Sequence, residues 1–329
     1  MKFWYRQRIS FLALLLLPLS ALVWCVSRYR YRHRNQNTYP IPVVVVGNLT
    51  VGGTGKTPTI IWLINTLQRH HYKVAVVSRG YRAKPTRSYP VLADYTDTAE
   101  TIGDEPALIA QSTQAMVVID PDRHRAVQFL CDLPAGQRPD VIVSDDGMQH
   151  YRMARDIEIL MYDTLRGLGN GCLIPAGPLR ESSQRLSSVS LVLAKQQGPQ
   201  LPESAIEVAQ EVIALAKNRE GVELPRQTVN IHTAIGNAES FQRTAESVGY
   251  TVNRTVAYRD HDKLPLEPIQ RSDFPVLTTE KDAVKLSSWP DNVYVLPYEL
   301  KYGPETAHFL LHRIQELIDE KRRHHSRTL

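Results

Sequence analysis

The sequence predicts an α/β protein: a mostly parallel sheet flanked by helices, a second and smaller α/β lobe, and an N-terminal membrane helix. Three observations lead to this prediction. Residues 42–194 alternate short β-branched runs with amphipathic segments, which favours a parallel sheet covered by helices. A second set of such segments begins near Gln227, and Ile9–Ser27 contains no charged residue.

Composition places the chain among ordinary globular proteins. Its 329 residues are 43% hydrophobic and 22% charged, which excludes global disorder and fibrous repeats. The net charge of +5 comes from residues 1–34, since the rest carries 32 basic and 34 acidic residues. That balance argues against nucleic acid as a partner. The three cysteines are far apart, which excludes a disulfide scaffold or zinc module, and no obligate protein partner is evident.

The N-terminal segment predicts a retained membrane helix. A helix over Ile9–Ser27 would be about 28 Å long, close to the hydrocarbon thickness of a bilayer. Aromatic residues lie at both ends, and the basic cluster Arg28–Arg34 suits anionic lipid headgroups. We therefore expect residues 1–34 to contact membrane lipids, with the helix either spanning the bilayer or lying in its interface.

Other interpretations of this segment are weaker. A cleaved signal peptide would have a basic start and an apolar centre, but a small-x-small cleavage site is not evident. A buried core helix is disfavoured by the basic flanks. The basic and aromatic cluster could also contact RNA, although its position beside an apolar helix favours lipid.

The body begins with a strand and a helix. The run Pro42–Gly47 (PVVVVG) is continuous and β-branched, as expected of a strand buried on both faces. Thr57–His70 then has apolar residues at helical spacing. The further predicted strands are Lys73–Ser78, Ala115–Ile119, Asp140–Ser144, Asp156–Tyr162 and Ser188–Ala194, and the further predicted helices are Pro106–Gln114 and His124–Leu130.

A polar stretch, Gln196–Glu203, interrupts this alternation. The second set of elements comprises strands at 229–235, Val276–Thr278 and Val293–Leu296, and helices at Ala238–Val248 and Ala307–Arg323. We therefore expect three units: a membrane anchor over residues 1–35, a first domain over 36–215 and a smaller lobe over 216–329.

A glycine-rich loop between the first strand and the first helix is the strongest chemical signal. It matches the Walker A pattern except that Thr50 stands where a glycine is usual. Glycines let backbone N–H groups surround a phosphate, and a helix N-terminus favours the same anion. The predicted ATP-binding residues are Thr50, Val51, Gly52, Gly53, Thr54, Gly55, Lys56 and Thr57.

Within this loop, Lys56 would reach the β- and γ-phosphates and Thr57 would bind Mg²⁺. The simpler interpretation is a glycine-rich turn that binds no ligand, but the flanking strand, helix, lysine and threonine disfavour it. The sequence therefore predicts a P-loop NTPase-like fold.

An acidic pair follows a later predicted strand. Asp145 and Asp146 come directly after a buried run, where P-loop proteins hold Mg²⁺. The simpler interpretation is an Asp-Gly turn, which is common after strands. The loop upstream favours a metal site.

Other polar residues are ambiguous when each is judged alone. Asp104 and Glu105 precede a predicted helix that begins with Pro106, and by pattern they favour a helix cap. His150 and His261 are typical of surface or core histidines. Arg180 and Glu181 follow a proline-rich turn and could form one local ion pair.

Taken together and in order, eight motifs resemble the tetraacyldisaccharide 4'-kinase family, the lipid A kinases of Gram-negative bacteria. The motifs are Val51–Pro58 (VGGTGKTP), Ser78–Tyr81 (SRGY), Gly103–Pro106 (GDEP), Asp145–His150 (DDGMQH), Ile174–Glu181 (IPAGPLRE), Ala234–Asn237 (AIGN), Asp260-His261 and Thr278–Lys285 (TTEKDAVK). The resemblance implies ATP- and Mg²⁺-dependent phosphorylation of the 4'-hydroxyl of a tetra-acylated disaccharide 1-phosphate. It also implies a P-loop fold with a smaller second lobe, working at the cytoplasmic face of the inner membrane.

The resemblance also implies roles for individual residues. Asp104 would be the base for the sugar hydroxyl, aided by His261 from the second lobe, and Lys56 would act on the phosphates. Asp145 and Asp146 would lie near the metal. The residues expected to line the cleft are Glu105, Gln149, His150, Arg180 and Glu181.

Three positions depart from the family pattern. Met148 stands where phenylalanine is common, Asp262 follows His261 where a second histidine is common, and Arg82 follows SRGY where glycine is common. A function that needs the second histidine is therefore not expected here.

Two other functions fit a P-loop beside a membrane helix. A partitioning or metallochaperone type of ATPase also uses such a loop, often with an additional lysine near its start, which this chain lacks. A nucleotide-sensing adaptor would bind ATP without turnover. Acceptor-dependent phosphate transfer distinguishes the kinase from both.

Overall fold

Two β-sheets organise the chain. The computed structural model describes residues 2–5, 9–35, 38–195, 200–203, 205–212, 215–286 and 288–328. Arg6 and Arg8 of the predicted basic segment lie outside the described residues, and so do positions 196–199 of the predicted polar break.

An apolar helix, α1 (Phe11–Arg32), precedes the first sheet. Among the described residues it is the one helix long and apolar enough to cross a membrane, and this indicates membrane association. Most of its apolar side chains are exposed, but Ala13 and Ser20 are buried against the body. Ser20 Oγ donates to Leu173 O at 2.8 Å and accepts from Ala176 N at 3.1 Å. The helix is therefore docked on the body along one face.

Eight of the nine strands of the first sheet lie within residues 43–212. In chain order the elements are β1 (Val43–Gly47), α2 (Lys56–Arg69), β2 (Val74–Ser78), β3 (Val91–Leu92), α3 (Ala99–Ile102), α4 (Asp104–Ser112), β4 (Met116–Ile119), α5 (Arg123–Cys131), β5 (Val141–Asp145), β6 (Ile157–Asp163), β7 (Leu191–Lys195) and β8 (Ala205–Val212).

The second sheet follows, and the chain then returns to the first. These elements are β9 (Thr228–Thr233), α6 (Ala238–Val248), β10 (Thr251–Ala257), α7 (Leu266–Gln270), β11 (Val276–Thr278), α8 (Glu280–Ala283), β12 (Val293–Val295), β13 (Tyr298–Lys301) and α9 (Pro304–Thr328).

The first sheet has nine strands in the order β13-β8-β7-β6-β1-β5-β2-β4-β3, and all neighbours are parallel except at its two edges. The central strands are buried on both faces, as the β-branched runs predict. Helix α2 covers one face with residues such as Ile60 and Leu63, and α5 covers the other with Val127 and Leu130. The carboxyl ends of β1, β2 and β5 consequently meet at one edge, where α/β folds bind ligands.

The second sheet is fully parallel, in the order β10-β9-β11-β12. Helix α6 packs on it through Phe241 and Ala245, and Gly249 ends the helix in the left-handed region at φ 103°. Strand β10 was not predicted, because as an edge strand it exposes much of its surface and lacks an apolar run.

The last elements change the expected organisation. Strand β13 pairs with β8, and α9 buries Leu310, Ile314 and Ile318 in the core of the first sheet. Residues 298–328, which we predicted within the smaller unit 216–329, therefore pack with the first sheet. The apolar stripe of α9 needs a cover, and the edge of the larger sheet provides it. Local sequence patterns do not reveal which sheet such a helix covers.

Candidate active site

The glycine-rich loop connects β1 to α2 at the ligand-binding edge of the first sheet. Gly55 precedes α2 at φ 88° and Gly52 has φ 124°, conformations that favour glycine. The side-chain amide of Asn48 donates to Thr50 O at 2.8 Å and to Gly52 O at 3.3 Å, which fixes the curvature of the loop. The first N–H groups of α2 are thereby available to an anion.

Lys56 lies at the first turn of α2 and is largely buried. Its Nζ donates to Asn48 Oδ1 at 3.3 Å and lies 3.6 Å from Asp146 Oδ1. Thr57, the next residue, is also buried and lines the cavity described below. The structure thus brings the predicted lysine to Asp146 and places the predicted threonine in the same cavity as the acidic pair.

Asp145 ends β5 beside the strand that leads into the loop, since Val46 of β1 pairs with Asp145. Ser78 Oγ donates to Asp145 Oδ2 at 3.0 Å, but the buried Asp145 Oδ1 has no hydrogen-bond partner among the described residues. Burial, with the negative charges of Glu105 and Asp146, raises the pKa of Asp145 to about 7. The carboxyl therefore lies where a cation would stabilise its ionised form.

Asp146 differs sharply from its neighbour. Burial alone would raise its pKa, but the charges of Lys56 and Arg180 outweigh burial and hold the pKa well below the usual range. Arg180 Nη1 donates to Asp146 Oδ2 at 2.8 Å, whereas the buried Oδ1 accepts no hydrogen bond from the described residues. Within the described part of the chain, the buried Asp145 Oδ1 and Asp146 Oδ1 accept no hydrogen bond, although Asp146 Oδ1 lies 3.6 Å from Lys56 Nζ, and Thr57 lines the same cavity. These groups fit Mg²⁺, which takes one or two carboxylates together with phosphate oxygens.

Across the cleft, Asp104 begins α4 and is buried. His261 Nδ1 lies 2.9 Å from Asp104 Oδ2 and 3.1 Å from Oδ1. Burial favours a raised pKa for Asp104, but the hydrogen bond from His261 and the charge of Lys281 outweigh burial and lower it. The edge of the Tyr81 ring packs on His261 at 4.9 Å between centroids. The predicted pair therefore meets, although its members are 157 positions apart.

Lys281 is a site residue that our sequence reasoning did not select. Its Nζ donates to Glu105 Oε1 at 2.9 Å, and it lines the cavity. The only sequence signal for it was its place within the TTEKDAVK motif.

The remaining predicted cleft residues occupy different depths. Gln149, His150 and Arg180 line the cavity. Burial, with the nearby charge of Arg123, lowers the pKa of His150 to about 4, so the imidazole is neutral at pH 7. Glu181 lies behind the cavity wall.

Glu181 is only 2% exposed. It accepts hydrogen bonds from Gln149 at 2.6 Å and from Arg185 at 2.9 Å. The structure therefore places Glu181 beneath Gln149, where it supports the wall.

One cavity of about 980 Å³ joins the glycine-rich loop, Lys56 and the acidic pair to Asp104, Glu105, His261 and Lys281. The second sheet contributes Gly236, where an added Cβ would lie 3.3 Å from Gly53 N, so only a small residue allows this approach to the loop. Three arginines that we did not predict as cleft residues, Arg30 of the basic cluster, Arg79 of the SRGY motif and Arg123, add positive charge to the lining. The cavity is thus suited to anionic ligands.

The chain matches one characterised family over most of its length. The sequence profile of the tetraacyldisaccharide-1-P 4'-kinase family (LpxK) matches residues 12–315. The tetraacyldisaccharide 4'-kinase of Mannheimia succiniciproducens is 39% identical over 328 residues, covering 97% of this chain and 99% of the relative. That of Legionella pneumophila strain Corby is 40% identical over 305 residues, covering 91% and 92%.

A solved structure has the same architecture. The crystal structure described as "apo" form LpxK from Aquifex aeolicus in complex with ATP superposes with a TM-score of 0.71 at 26% identity. The match covers 92% of this chain and 99% of that one.

Proposed function

The chain belongs to the tetraacyldisaccharide 4'-kinase family, and we propose from that premise that it transfers the γ-phosphate of ATP to the 4'-hydroxyl of tetraacyldisaccharide 1-phosphate in lipid A biosynthesis. The observation that supports this proposal is one cavity with two facing walls. The nucleotide wall consists of the loop 50–57 with Asp145 and Asp146. The acceptor wall consists of Asp104, Glu105, His261 and Lys281.

The nucleotide wall orients the triphosphate and stabilises its charge. Backbone N–H groups of the loop and the ammonium of Lys56 would contact the phosphate oxygens, since phosphoryl transfer depends on positioning and charge stabilisation. Thr57, Asp145 and Asp146 would hold Mg²⁺. When bound, Mg²⁺ neutralises charge on the β- and γ-phosphate oxygens.

The acceptor wall removes the proton of the sugar hydroxyl. The lowered pKa of Asp104 keeps the carboxylate ionised but makes it a weak base, so it would accept the hydroxyl proton only as the new O–P bond forms. His261 Nδ1 orients the carboxylate. As the O–H bond breaks towards Asp104, the sugar oxygen attacks the γ-phosphorus and ADP leaves.

Phosphate transfer is directly measurable. We expect purified chain, γ-labelled ATP, Mg²⁺ and the disaccharide lipid in detergent micelles to give a bisphosphorylated lipid and one ADP per product. ADP release at the same rate without the lipid would favour the ATPase of the partitioning type. Binding of ATP without turnover would favour the nucleotide-sensing adaptor.

The position of α1 supports attachment at the membrane interface. Contacts with the body are made by Ser20 in the middle of α1 and by Tyr31 near its end, whose hydroxyl accepts from Arg185 at 3.4 Å. The opposite face exposes Leu15 and Leu22. A helix docked along the body in this way suits an interfacial anchor, with the catalytic domains at the cytoplasmic face of the inner membrane.

Replacing exposed leucines of α1 by charged residues tests this attachment. We expect Leu15→Glu/Leu22→Glu, and removal of residues 1–34, to move the chain towards the soluble fraction, because ionised side chains cost free energy in hydrocarbon. Fractionation and immunoblotting measure the change. Unaltered membrane retention in both variants would assign lipid binding to the body instead.

A further inference from the structure

Lys281 is a buried cation surrounded by three carboxylates. Its Nζ lies 2.9 Å from Glu105 Oε1, 3.8 Å from Asp104 Oδ2 and 3.8 Å from Asp260 Oδ1. Only 18% of its side chain is exposed. Asp104 and Glu105 begin α4 of the first sheet, whereas Lys281 belongs to α8 of the second, so this contact crosses the cleft.

The backbone that carries Lys281 is fixed by its neighbour Asp282, which is fully buried. Asp282 Oδ2 accepts hydrogen bonds from Thr233 Oγ1 at 2.6 Å and from Ala234 N at 3.1 Å. Ala234 O in turn accepts from His261 N at 3.1 Å. One carboxylate therefore holds both the helix of Lys281 and the loop of His261 at fixed positions relative to each other.

The charge balance around Asp104 depends on this lysine. The groups around Asp104 are Glu105 on its own helix, Asp260 and His261 after β10, Lys281 of α8, Lys285 just after α8, and Tyr81 after β2. Without Lys281, carboxylates would face one another in a partly buried site. Burial and like charge both favour uptake of a proton by a carboxylate.

We propose that Lys281 is a positioning residue for phosphate transfer: its ammonium, 2.9 Å from Glu105 and 3.8 Å from Asp104, offsets the negative charge of this cluster and holds Asp104 where it can accept the hydroxyl proton. This proposal rests on the kinase function proposed above. In the step, the acceptor O–H bond breaks and its proton moves to Asp104. An O–P bond forms as the bond from the γ-phosphorus to the bridging oxygen of ADP breaks, and Lys281 keeps its protons throughout.

Lys281→Gln, Lys281→Arg and the control Lys263→Gln separate this role from general stabilisation. Lys263 also forms an ion pair across the cleft, with Glu100 at 2.9 Å, but it is 69% exposed and outside the catalytic groups. In Lys281→Gln we expect kcat to fall about 100-fold, within the range that general base catalysis contributes. The midpoint of the acidic limb in the profile of kcat/KM against pH should move to a pH about one unit higher, because Asp104 takes up a proton more readily without the lysine charge.

Lys281→Arg keeps the positive charge, so its acidic limb should lie at the wild-type position. The control Lys263→Gln should keep kcat within about twofold of the wild-type value, because it removes only an exposed ion pair. Glu105→Gln tests the same balance without altering Lys281 and should move the limb to lower pH, even if Lys281→Gln fails to fold. An unmoved limb in Lys281→Gln or in Glu105→Gln would overturn the proposal. Inactive wild-type protein would instead contradict the kinase function, so the two failures are distinguishable.

Discussion

The two walls of the cleft satisfy their buried charges in different ways. On the nucleotide wall, Asp145 Oδ1 and Asp146 Oδ1 are buried without a hydrogen bond from the described residues. On the acceptor wall, Asp104 accepts from His261 and Glu105 accepts from Lys281. Asp145 Oδ1 thus has acceptor capacity that a cation can use, whereas Asp104 and Glu105 are already paired. Asp146 Oδ1 and Asp260 Oδ1 also lack a hydrogen bond within the described ranges, but they lie 3.6 Å and 3.8 Å, respectively, from a lysine ammonium.

This difference has an energetic meaning. Burying a polar atom without a partner costs free energy, so the nucleotide wall destabilises the fold until a ligand compensates for it. On the acceptor wall, no substrate binding energy is needed to orient the proposed base, because His261 and Lys281 already hold Asp104. In the proposed function, the unpaired Asp145 oxygen would face the cation, and Asp104 would be a prearranged base.

The largest expected effects come from removing one charged group on each wall. Lys56→Ala and Asp104→Ala should each lower kcat by about 1,000-fold, since both act on the reacting atoms. Lys56→Ala should also weaken ATP binding, whereas Asp104→Ala should leave it nearly unchanged. Steady-state kinetics and calorimetric titration with ATP measure the two properties. A folded Asp104→Ala protein with near wild-type turnover would exclude Asp104 as the base.

A second prediction concerns Asp145, whose buried Oδ1 has no hydrogen-bond partner among the described residues. The pKa of Asp145 is about 7 in the folded protein against 3.8 as the ordinary value, so its ionisation costs stability as pH rises between these values, and the full cost is present above pH 7. Asp145→Asn should therefore stabilise the nucleotide-free protein at pH 8 by on the order of 2 kcal/mol while activity falls about 100-fold.

Thermal denaturation at pH 8 and pH 4 checks the sign of this effect. The gain in Tm should be present at pH 8 and nearly absent at pH 4, where the wild-type carboxyl is already protonated in the folded state. An equal gain at both values would mean that ionisation of Asp145 does not limit stability.

The smallest expected effect concerns the approach of the second sheet to the nucleotide wall. Gly236→Ala places a Cβ 3.3 Å from Gly53 N, so the two must separate by a few tenths of an ångström. We expect the KM for ATP to rise about threefold, with little change in Tm, as small misplacements at a binding site cost affinity. Gly136→Ala is the matched control, because its Cβ would meet no neighbour within 4 Å. Equal KM values in both variants would separate Gly236 from nucleotide binding.

Much of the nucleotide wall was predictable, because it is encoded locally. The loop 50–57 joins a buried strand to the helix that follows it, and Asp145 ends the next strand along the sheet. The parallel sheet, the apolar α1 and the second set of elements also follow from patterns of 5 to 20 residues. In each case the residues that determine the structure are neighbours in sequence.

The sequence by itself thus determined the glycine-rich loop, the position of the acidic pair at the end of a strand and the alternation of strands and helices, since periodicity and glycine conformation act over short distances. The motif resemblance indicated Asp104, Glu105 and His261, but only the tertiary structure placed Lys281 among them, because it comes from a different sheet than Glu105. The tertiary structure also decided that Glu181 lies beneath Gln149 and that α9 packs with the first sheet. These contacts join residues that are far apart in sequence. They depend on burial and charge pairing between surfaces that meet only in the folded chain.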